Sequence, residues 1–173
     1  EEIAAVIVAN KAYLSEIDGL IGDGDHGINM AKGFGRAAER ISGQNLSLDQ
    51  ALLVLSDVLM TEIGGSMGPL YGFMFRNMSL TINERQAIDA DGFAVMLQAG
   101  LRGVRMTGAA EIGDKTLIDC LVPAIAAFET TVPEGFAPAL KAMKEAAEEG
   151  RDSTIDLVAR LGRASRLGER SRG

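Results

Sequence analysis

An all-α fold is predicted for this 173-residue chain by three features of its sequence. Apolar residues recur three and four positions apart, which is the spacing of one helix face. Short breaks that contain Gly, Asp or Pro separate these segments, and no segment shows sustained alternation of polar and apolar residues. Because short connections favour antiparallel neighbours, we expect a bundle of about eight antiparallel helices.

Local signals predict where individual helices begin. Ser47 and Gln50 have the spacing of a capping box. Pro69 suits the first turn of the next helix, where a missing N–H costs nothing. Asp91 and Asp152 are predicted to cap two further helices. The other helical segments are predicted at 3–14, 28–41, 116–128 and 136–147.

Composition limits the classes of protein that the chain can belong to. It is 47% apolar and 24% charged, which is typical of one globular domain over residues 1–173, and no apolar run reaches the ~20 residues of a membrane span. A net charge of -7 argues against nucleic-acid binding. Cys120 is the single cysteine, so we expect no intrachain disulfide and a cytoplasmic location.

Three junctions between predicted helices contain more glycine than a turn requires. They are "GDGDHG" at 22–27, "GGSMGPLYG" at 64–72 and "GAAEIGDKT" at 108–116. Glycine lets a backbone approach a ligand closely, and the N–H groups of a following helix attract phosphate. For any one junction alone, a tight loop with a helix cap is the favoured interpretation, and a phosphate site stays open as the other one.

The first junction carries a cluster of acidic residues. Asp18, Asp23 and Asp25 converge on one point only if a cation offsets their repulsion, and hard divalent cations take oxygen ligands. A calcium EF-hand is excluded, because Phe34 stands where its closing glutamate belongs. Magnesium fits better, since it combines a few carboxylates with phosphate oxygens. The residues therefore predict a phosphate or nucleotide site bridged by metal.

Other polar residues admit two interpretations each. His26 is either a surface or capping residue or a part of the acidic site. "GAAEIGDKT" nearly matches a Walker A motif, but Asp114 precedes Lys115 and no strand comes before it, so a P-loop is disfavoured. Four arginines near the end form either a solvated face or an anion clamp. They are Arg160, Arg163, Arg166 and Arg170.

Four sequence blocks, in order, resemble the L subunit of dihydroxyacetone kinase, the nucleotide-binding partner of a substrate-binding K subunit. The blocks are "IDGLIGDGDHGINMAKGF", "GGSMGPLYG", "GDKT" with the later "VP", and "GRASRLGERS", and they span residues 17–171. The resemblance implies a barrel of eight antiparallel helices, with the nucleotide held at one end through two magnesium ions.

The resemblance also implies roles for particular residues. Asp18, Asp23 and Asp25 would hold the magnesium ions, the "GGSMGP" block would surround the phosphates, and Gly108 and Leu117 would border the base or ribose. The implied nucleotide-binding residues are His26, Gly27, Ile28, Asn29, Ser66, Met67, Gly108, Leu117 and Arg163.

The activity implied by the resemblance is phosphoryl transfer from bound nucleotide to dihydroxyacetone or a related short ketose held on the K subunit. The donor is either ADP recharged by a phosphoenolpyruvate-fed phosphotransferase protein or exchangeable ATP, and "GGSMGPLYG" is closer to the first type. A nucleotide-sensing adaptor without turnover is the alternative. A purely structural metal-binding bundle would leave the second and third junctions unexplained.

The sequence departs from the family pattern at two places. Members usually have serine at the position of Met67, which offers no hydroxyl to a phosphate, although Ser66 precedes it. Members also continue past "GERS" with a segment that helps to close the nucleotide site. We therefore expect that segment either to lie outside these 173 residues or to order only with ligand.

Overall fold

The computed structural model describes residues 1–83, 85 and 87–173, and these contain helices and no β-strand, which confirms the all-α prediction. The helices are α1 (Glu2–Ala9), α2 (Lys11–Gly19), α3 (His26–Ile41), α4 (Leu48–Glu62), α5 (Met67–Thr81), α6 (Ala90–Thr107), α7 (Leu117–Thr131) and α8 (Phe136–Ser153). Two 3-10 helices cover Val132–Glu134 and Arg163–Ser171.

Several helix boundaries are those that local signals predict. The capping box of Ser47 and Gln50 is present at the start of α4, where the Ser47 N–H donates to Gln50 Oε1 at 3.1 Å. Pro69 lies in the first turn of α5. α3 begins at His26, two residues before the predicted start at 28, so His26 and Gly27 of the acidic junction belong to its first turn.

Two predicted caps are wrong. The cap of α6 is Asp89, whose Oδ1 accepts from the Gly92 N–H at 2.8 Å, and Asp91 lies inside the first turn. Asp152 lies in the last turn of α8, and no α-helix follows it in the described chain. Gly150 resembles a helix end but is a contact residue, because a Cβ there would lie 2.5 Å from the Asp119 carbonyl oxygen of α7.

The predicted N-terminal segment 3–14 is two helices. The chain breaks at Asn10, which has φ -95° and ψ 9°, and its side-chain amide donates to the Val6 carbonyl at 2.8 Å. A short polar side chain that bonds back to the preceding turn in this way competes with helix continuation. Both α1 and α2 pack on α3.

Helices pack mainly against their neighbours in sequence, as short connections predict. The contacts run from α1 and α2 to α3, and then through α4, α5, α6 and α7 to α8. The larger apolar core joins α5 to α8 around Phe128, which is fully buried. A smaller core joins α1, α3, α4 and α5 around Leu59. In it the rings of Phe34 and Phe75 pack edge-on, with their centroids 5.9 Å apart.

Ion pairs fix the end of α4 beside α3. Glu62 pairs with both Arg36 and Arg40, and its carbonyl oxygen accepts from Lys32 Nζ at 3.0 Å. Because these contacts hold the residue just before the second glycine junction, they bring that junction close to α3. No helix of the described residues is long and apolar enough to cross a membrane.

Candidate metal and anion site

Three carboxylates meet at the connection between α2 and α3. Asp18 lies near the end of α2, Asp23 lies in the loop, and Asp25 is the N-cap residue of α3. One oxygen from each lies within 4.8 Å of the others. Gly24 has φ +73°, a left-handed conformation that glycine adopts without strain, and this turn folds the loop back. The structure therefore brings together the three residues predicted as metal ligands, and their binding of a metal stays a prediction.

One cation already faces this acidic cluster. Arg163 pairs with Asp23, from 140 residues further along the chain. The hydrogen bond and the charge of Arg163 lower the pKa of Asp23, and the same contact raises the pKa of the guanidinium. The His26 N–H donates to Asp18 Oδ2 at 3.3 Å. The cluster thus combines three carboxylates with one balancing arginine, so its net charge still favours a cation.

The carboxylates form one wall of a pocket of about 400 Å³. The second glycine junction forms the opposite wall, and the segment around Arg163 closes one side. The lining residues are Ile17, Asp18, Ile21, Gly22, Asp23, Asp25, His26, Asn29, Gly64, Gly65, Ser66, Met67, Arg163 and Ala164.

Two helices begin at this pocket, and neither is capped by its own side chain. The N-cap residues are Asp25 for α3 and Ser66 for α5, and neither side chain makes a capping hydrogen bond. The N–H groups of a first turn have no partner within the helix, and they carry the positive end of the helix dipole. The pocket therefore sets carboxylates that suit a cation next to two helix ends that suit an anion.

Glycines place these two helix ends against their neighbours. A Cβ on Gly27 would lie 2.0 Å from the Lys11 carbonyl oxygen of α2, and one on Gly68 would lie 2.6 Å from that of Leu59. No real side chain fits at such distances, so backbone meets backbone at both positions. The first turns of α3 and α5 are thus positioned by tertiary contact.

The predicted nucleotide-binding residues divide into two groups. His26, Asn29, Ser66, Met67 and Arg163 line the pocket. Four others do not appear among its described lining residues, and their roles stay predictions. They are Gly27, which is buried against α2, Ile28, which is 51% exposed, Gly108 at the end of α6, and Leu117, the first residue of α7.

Sequence reasoning missed the apolar part of the pocket wall. Ile17 and Ile21 flank the acidic cluster, are 47% and 38% exposed, and line the pocket together with Ala164. The signal was present, since the isoleucines in "EIDGLIG" stand directly beside acidic residues and glycines. Exposed branched side chains beside a polar site provide apolar surface for a ligand.

The donor set fits a hard divalent cation. Its three ligating groups are carboxylates, and oxygen is the ligand that magnesium and calcium prefer. Two of the carboxylates are exposed and one is half-buried, so a cation has access and keeps room for water or phosphate oxygens. The pocket can thus accept a metal and an anionic ligand together.

The fold and site define a class: an all-α protein with an acidic pocket at the start of two helices. Residues 20–173 match the family model described as the DAK2 domain, and the chain belongs to this family. The chain is 37% identical over 168 residues to the "PTS-dependent dihydroxyacetone kinase, ADP-binding subunit DhaL" of Lactococcus lactis, covering 96% of this chain and 80% of the relative.

Two further relatives show the range of proteins that contain this domain. The chain is 36% identical over 165 residues to the "PEP-dependent dihydroxyacetone kinase 1, ADP-binding subunit DhaL" of Listeria innocua, covering 95% of this chain and 78% of the relative. It is 32% identical to the "L-erythrulose 1-kinase" of Mycolicibacterium smegmatis over all of this chain but 31% of that protein. The domain thus resembles both a separate subunit and part of a longer kinase.

Proposed function

We propose that this chain is the nucleotide- and magnesium-binding L subunit of a dihydroxyacetone-type kinase. The observation that carries the proposal is the meeting of Asp18, Asp23 and Asp25 within 4.8 Å, beside the uncapped starts of α3 and α5. Relatives named as ADP-binding subunits over nearly the whole chain support it. In this proposal residues 1–173 act as one cytoplasmic domain.

The three aspartates would hold two magnesium ions, which, when bound, neutralise the charge of the nucleotide phosphates. Carboxylates suit this role because they remain ionised at neutral pH and offer several oxygens each. The hydrogen bond from Arg163 lowers the pKa of Asp23, and the guanidinium supplies one more positive charge at the edge of the pocket. Phosphoryl transfer depends mainly on positioning and charge neutralisation, so no side chain here needs to act as a base.

The two helix starts would receive the phosphate oxygens. Their first-turn N–H groups are fixed by the packing of Gly27 and Gly68, and fixed donors cost little reorganisation when charge develops. Ser66 is the hydroxyl at this end of α5, and Met67 next to it adds none. We therefore assign Ser66, together with backbone N–H groups, to phosphate contact.

The acceptor would be dihydroxyacetone or a related short ketose on a separate K subunit. The nucleotide would be ADP that a phosphoenolpyruvate-fed phosphotransferase protein recharges, because the relatives named above as subunits are PEP- or PTS-dependent. Exchangeable ATP is the second candidate donor, and the match to L-erythrulose 1-kinase favours keeping it. A nucleotide-sensing adaptor without turnover is the alternative function.

Calorimetric titration of ADP, with and without magnesium, tests the site. We expect magnesium-dependent binding to the unchanged chain and its loss in Asp25→Asn, because an amide cannot balance a cation as a carboxylate does. Asp57→Asn is the matched control, since Asp57 is exposed on α4 and does not line this pocket. Equal ADP affinity in Asp25→Asn and the unchanged chain would contradict the metal site.

A coupled assay with a K subunit separates the functions. Formation of phosphorylated ketose with a phosphoenolpyruvate-fed donor protein supports the first scheme, and formation with ATP alone supports the second. Nucleotide binding without any ketose phosphate indicates the adaptor. Mass spectrometry of the nucleotide that copurifies provides a second measurement, because tightly retained ADP is expected only when ADP is recharged in place.

A further inference from the structure

The "GDKT" motif at 113–116 contacts the end of the chain. Lys115 Nζ donates to the Ser171 carbonyl at 2.6 Å and to the Ile155 carbonyl at 3.4 Å. These two carbonyls lie at the two ends of residues 155–171, which we call the C-terminal loop. One ammonium group therefore joins both ends of this loop to the α6–α7 connection.

The C-terminal loop is closed on itself at the same place. Ser171 Oγ accepts from the Ala159 N–H at 2.9 Å, and the Gly173 N–H donates to the Ile155 carbonyl at 2.9 Å. Ser171 is fully buried. Lys115 thus contacts the two ends of the loop where they meet. A contact at this place limits the motion of all residues between 155 and 171.

A second contact ties the loop closer to Arg163. The Arg160 N–H donates to the Asp114 carbonyl at 3.1 Å, and the two side chains pair at 3.5 Å. Arg163 follows three residues later and pairs with Asp23 in the pocket. The "GDKT" motif is therefore connected to the acidic cluster by two contacts, Asp114 with Arg160 and Arg163 with Asp23.

The turn that aims Lys115 is held by a buried carboxylate. Lys115 has φ +60°, a left-handed conformation that is uncommon for a residue with a side chain. Asp119 is 4% exposed and accepts from the N–H groups of both Gly113 and Thr116, on either side of Lys115. Such a conformation persists only where the surroundings determine it, and it clusters at functional sites.

We propose that Lys115 is a positioning residue, which clamps the base of the C-terminal loop and thereby holds Arg163 against the acidic pocket. The proposal rests on the proposed function for the identity of the ligand, whereas the clamp is a property of the chain alone. It gives the third glycine junction a role: this junction anchors the segment that completes the pocket.

A double-mutant cycle on magnesium-dependent ADP affinity tests whether Lys115 acts through Arg163. We expect Lys115→Met to weaken affinity about tenfold, since hydrogen bonds from a charged group are among the stronger ones. Arg163→Ala should weaken it at least as much, and the double variant should bind no worse than Arg163→Ala alone. Unchanged affinity in Lys115→Met, or additive losses in the double variant, would overturn the proposal.

The Lys115→Gly variant distinguishes the effect of the Lys115 side chain from the effect of its left-handed backbone conformation. Glycine adopts the same φ without steric strain, so the turn should keep its shape. ADP affinity should still drop as it does in Lys115→Met, and Lys115→Arg should restore much of it. If Lys115→Gly binds like the unchanged chain, the side chain is not a clamp and the proposal is wrong.

Hydrogen exchange in the ligand-free protein provides a readout that needs no nucleotide. Amides at 159–171 should exchange faster in Lys115→Met and Lys115→Gly than in the unchanged chain, and those of α4 should not change. Equal exchange at 159–171 would overturn the clamp. If the unchanged chain binds no ADP while exchange rises as expected, the proposed function fails and the clamp stands.

Discussion

Five helix starts of the described chain fall into two groups, and the other three, those of α1, α2 and α8, also lack a side-chain capping bond. Ser47, Asp89 and Thr116 cap α4, α6 and α7 with their own side chains, whereas Asp25 and Ser66 leave α3 and α5 uncapped. Both uncapped starts line the same pocket. The capping residues of α4, α6 and α7 bind first-turn N–H groups, whereas the N-cap side chains at the pocket do not, and there the His26 N–H donates to Asp18 instead.

The two groups also differ in what fixes their position. The capped helices begin where a local hydrogen bond places them, as at Ser47 and Gln50. The uncapped helices begin where a glycine touches a neighbouring backbone, Gly27 on α2 and Gly68 on α4. Substitutions at these glycines and N-cap residues should therefore have different effects on stability and on ADP binding.

The largest effect is expected for Gly27→Ala. Its Cβ would lie 2.0 Å from the Lys11 carbonyl oxygen, so α2 and α3 must move apart, at a cost of about 2–3 kcal/mol of unfolding free energy. Magnesium-dependent ADP binding should fall with it, because Asp18 and Asp25 lie on the two helices that separate. Urea denaturation and calorimetry provide the measurements.

Gly35→Ala is the matched control on the same helix. A Cβ there meets no described atom within 4 Å, so alanine should stabilise α3 by up to about 1 kcal/mol. Similar losses of stability in Gly27→Ala and Gly35→Ala would show that contact with α2 does not explain the effect of Gly27→Ala.

A smaller effect is expected for Ser47→Ala, at a capped start. Loss of its capping box should lower the unfolding free energy by about 1 kcal/mol. ADP affinity should not change, because Ser47 does not line the pocket. Thermal denaturation measures the loss of stability, and calorimetry measures the ADP affinity. A change in ADP affinity would contradict the division into two groups of helix starts.

Ser66→Ala should give the opposite result at an uncapped start. Its side chain makes no capping bond, so stability should stay within ~0.5 kcal/mol, as is usual for surface substitutions. ADP affinity should fall about fivefold if the hydroxyl contacts phosphate. A loss of stability equal to that of Ser47→Ala, with ADP affinity intact, would show that Ser66 is an ordinary cap.

The smallest effect concerns the ligand-free pocket. Arg163 holds the pKa of Asp23 below its ordinary value, so this pair stabilises the fold above about pH 4 and the contribution is lost as pH falls through the lowered pKa. In Arg163→Gln the pKa of Asp23 should rise, which a carboxyl-carbon NMR titration without metal would measure. An Asp23 pKa that is the same in both proteins would show that the pair does not persist in solution.

The sequence predicted most of the local structure because local structure depends on nearby residues. The capping box at Ser47 and the place of Pro69 in the first turn of α5 follow from signals within a few positions. The errors have the same origin. Asp152 is a good capping residue, but α8 continues past the predicted end at 147, because Gly150 lets it pack closely on α7.

The sequence predicted some residues of the candidate site and missed others. Asp18, Asp23 and Asp25 stand close in sequence, and their acidic, glycine-rich setting predicted a metal site. The apolar wall of Ile17 and Ile21 was missed, because exposure of an apolar side chain is decided by what packs around it. The role of Lys115 was missed as well, since its partners Ile155 and Ser171 are 40 and 56 residues away.

By itself, the sequence determined the helical class, most helix starts and the acidic loop, since each depends on hydrogen bonds and charges within one or two turns. Only the tertiary structure decided that the starts of α3 and α5 share one pocket and that Arg163 reaches Asp23 across 140 residues. The physical reason is that backbone contacts at Gly27 and Gly68, and the ion pairs of Glu62, set distances between elements that no local pattern encodes.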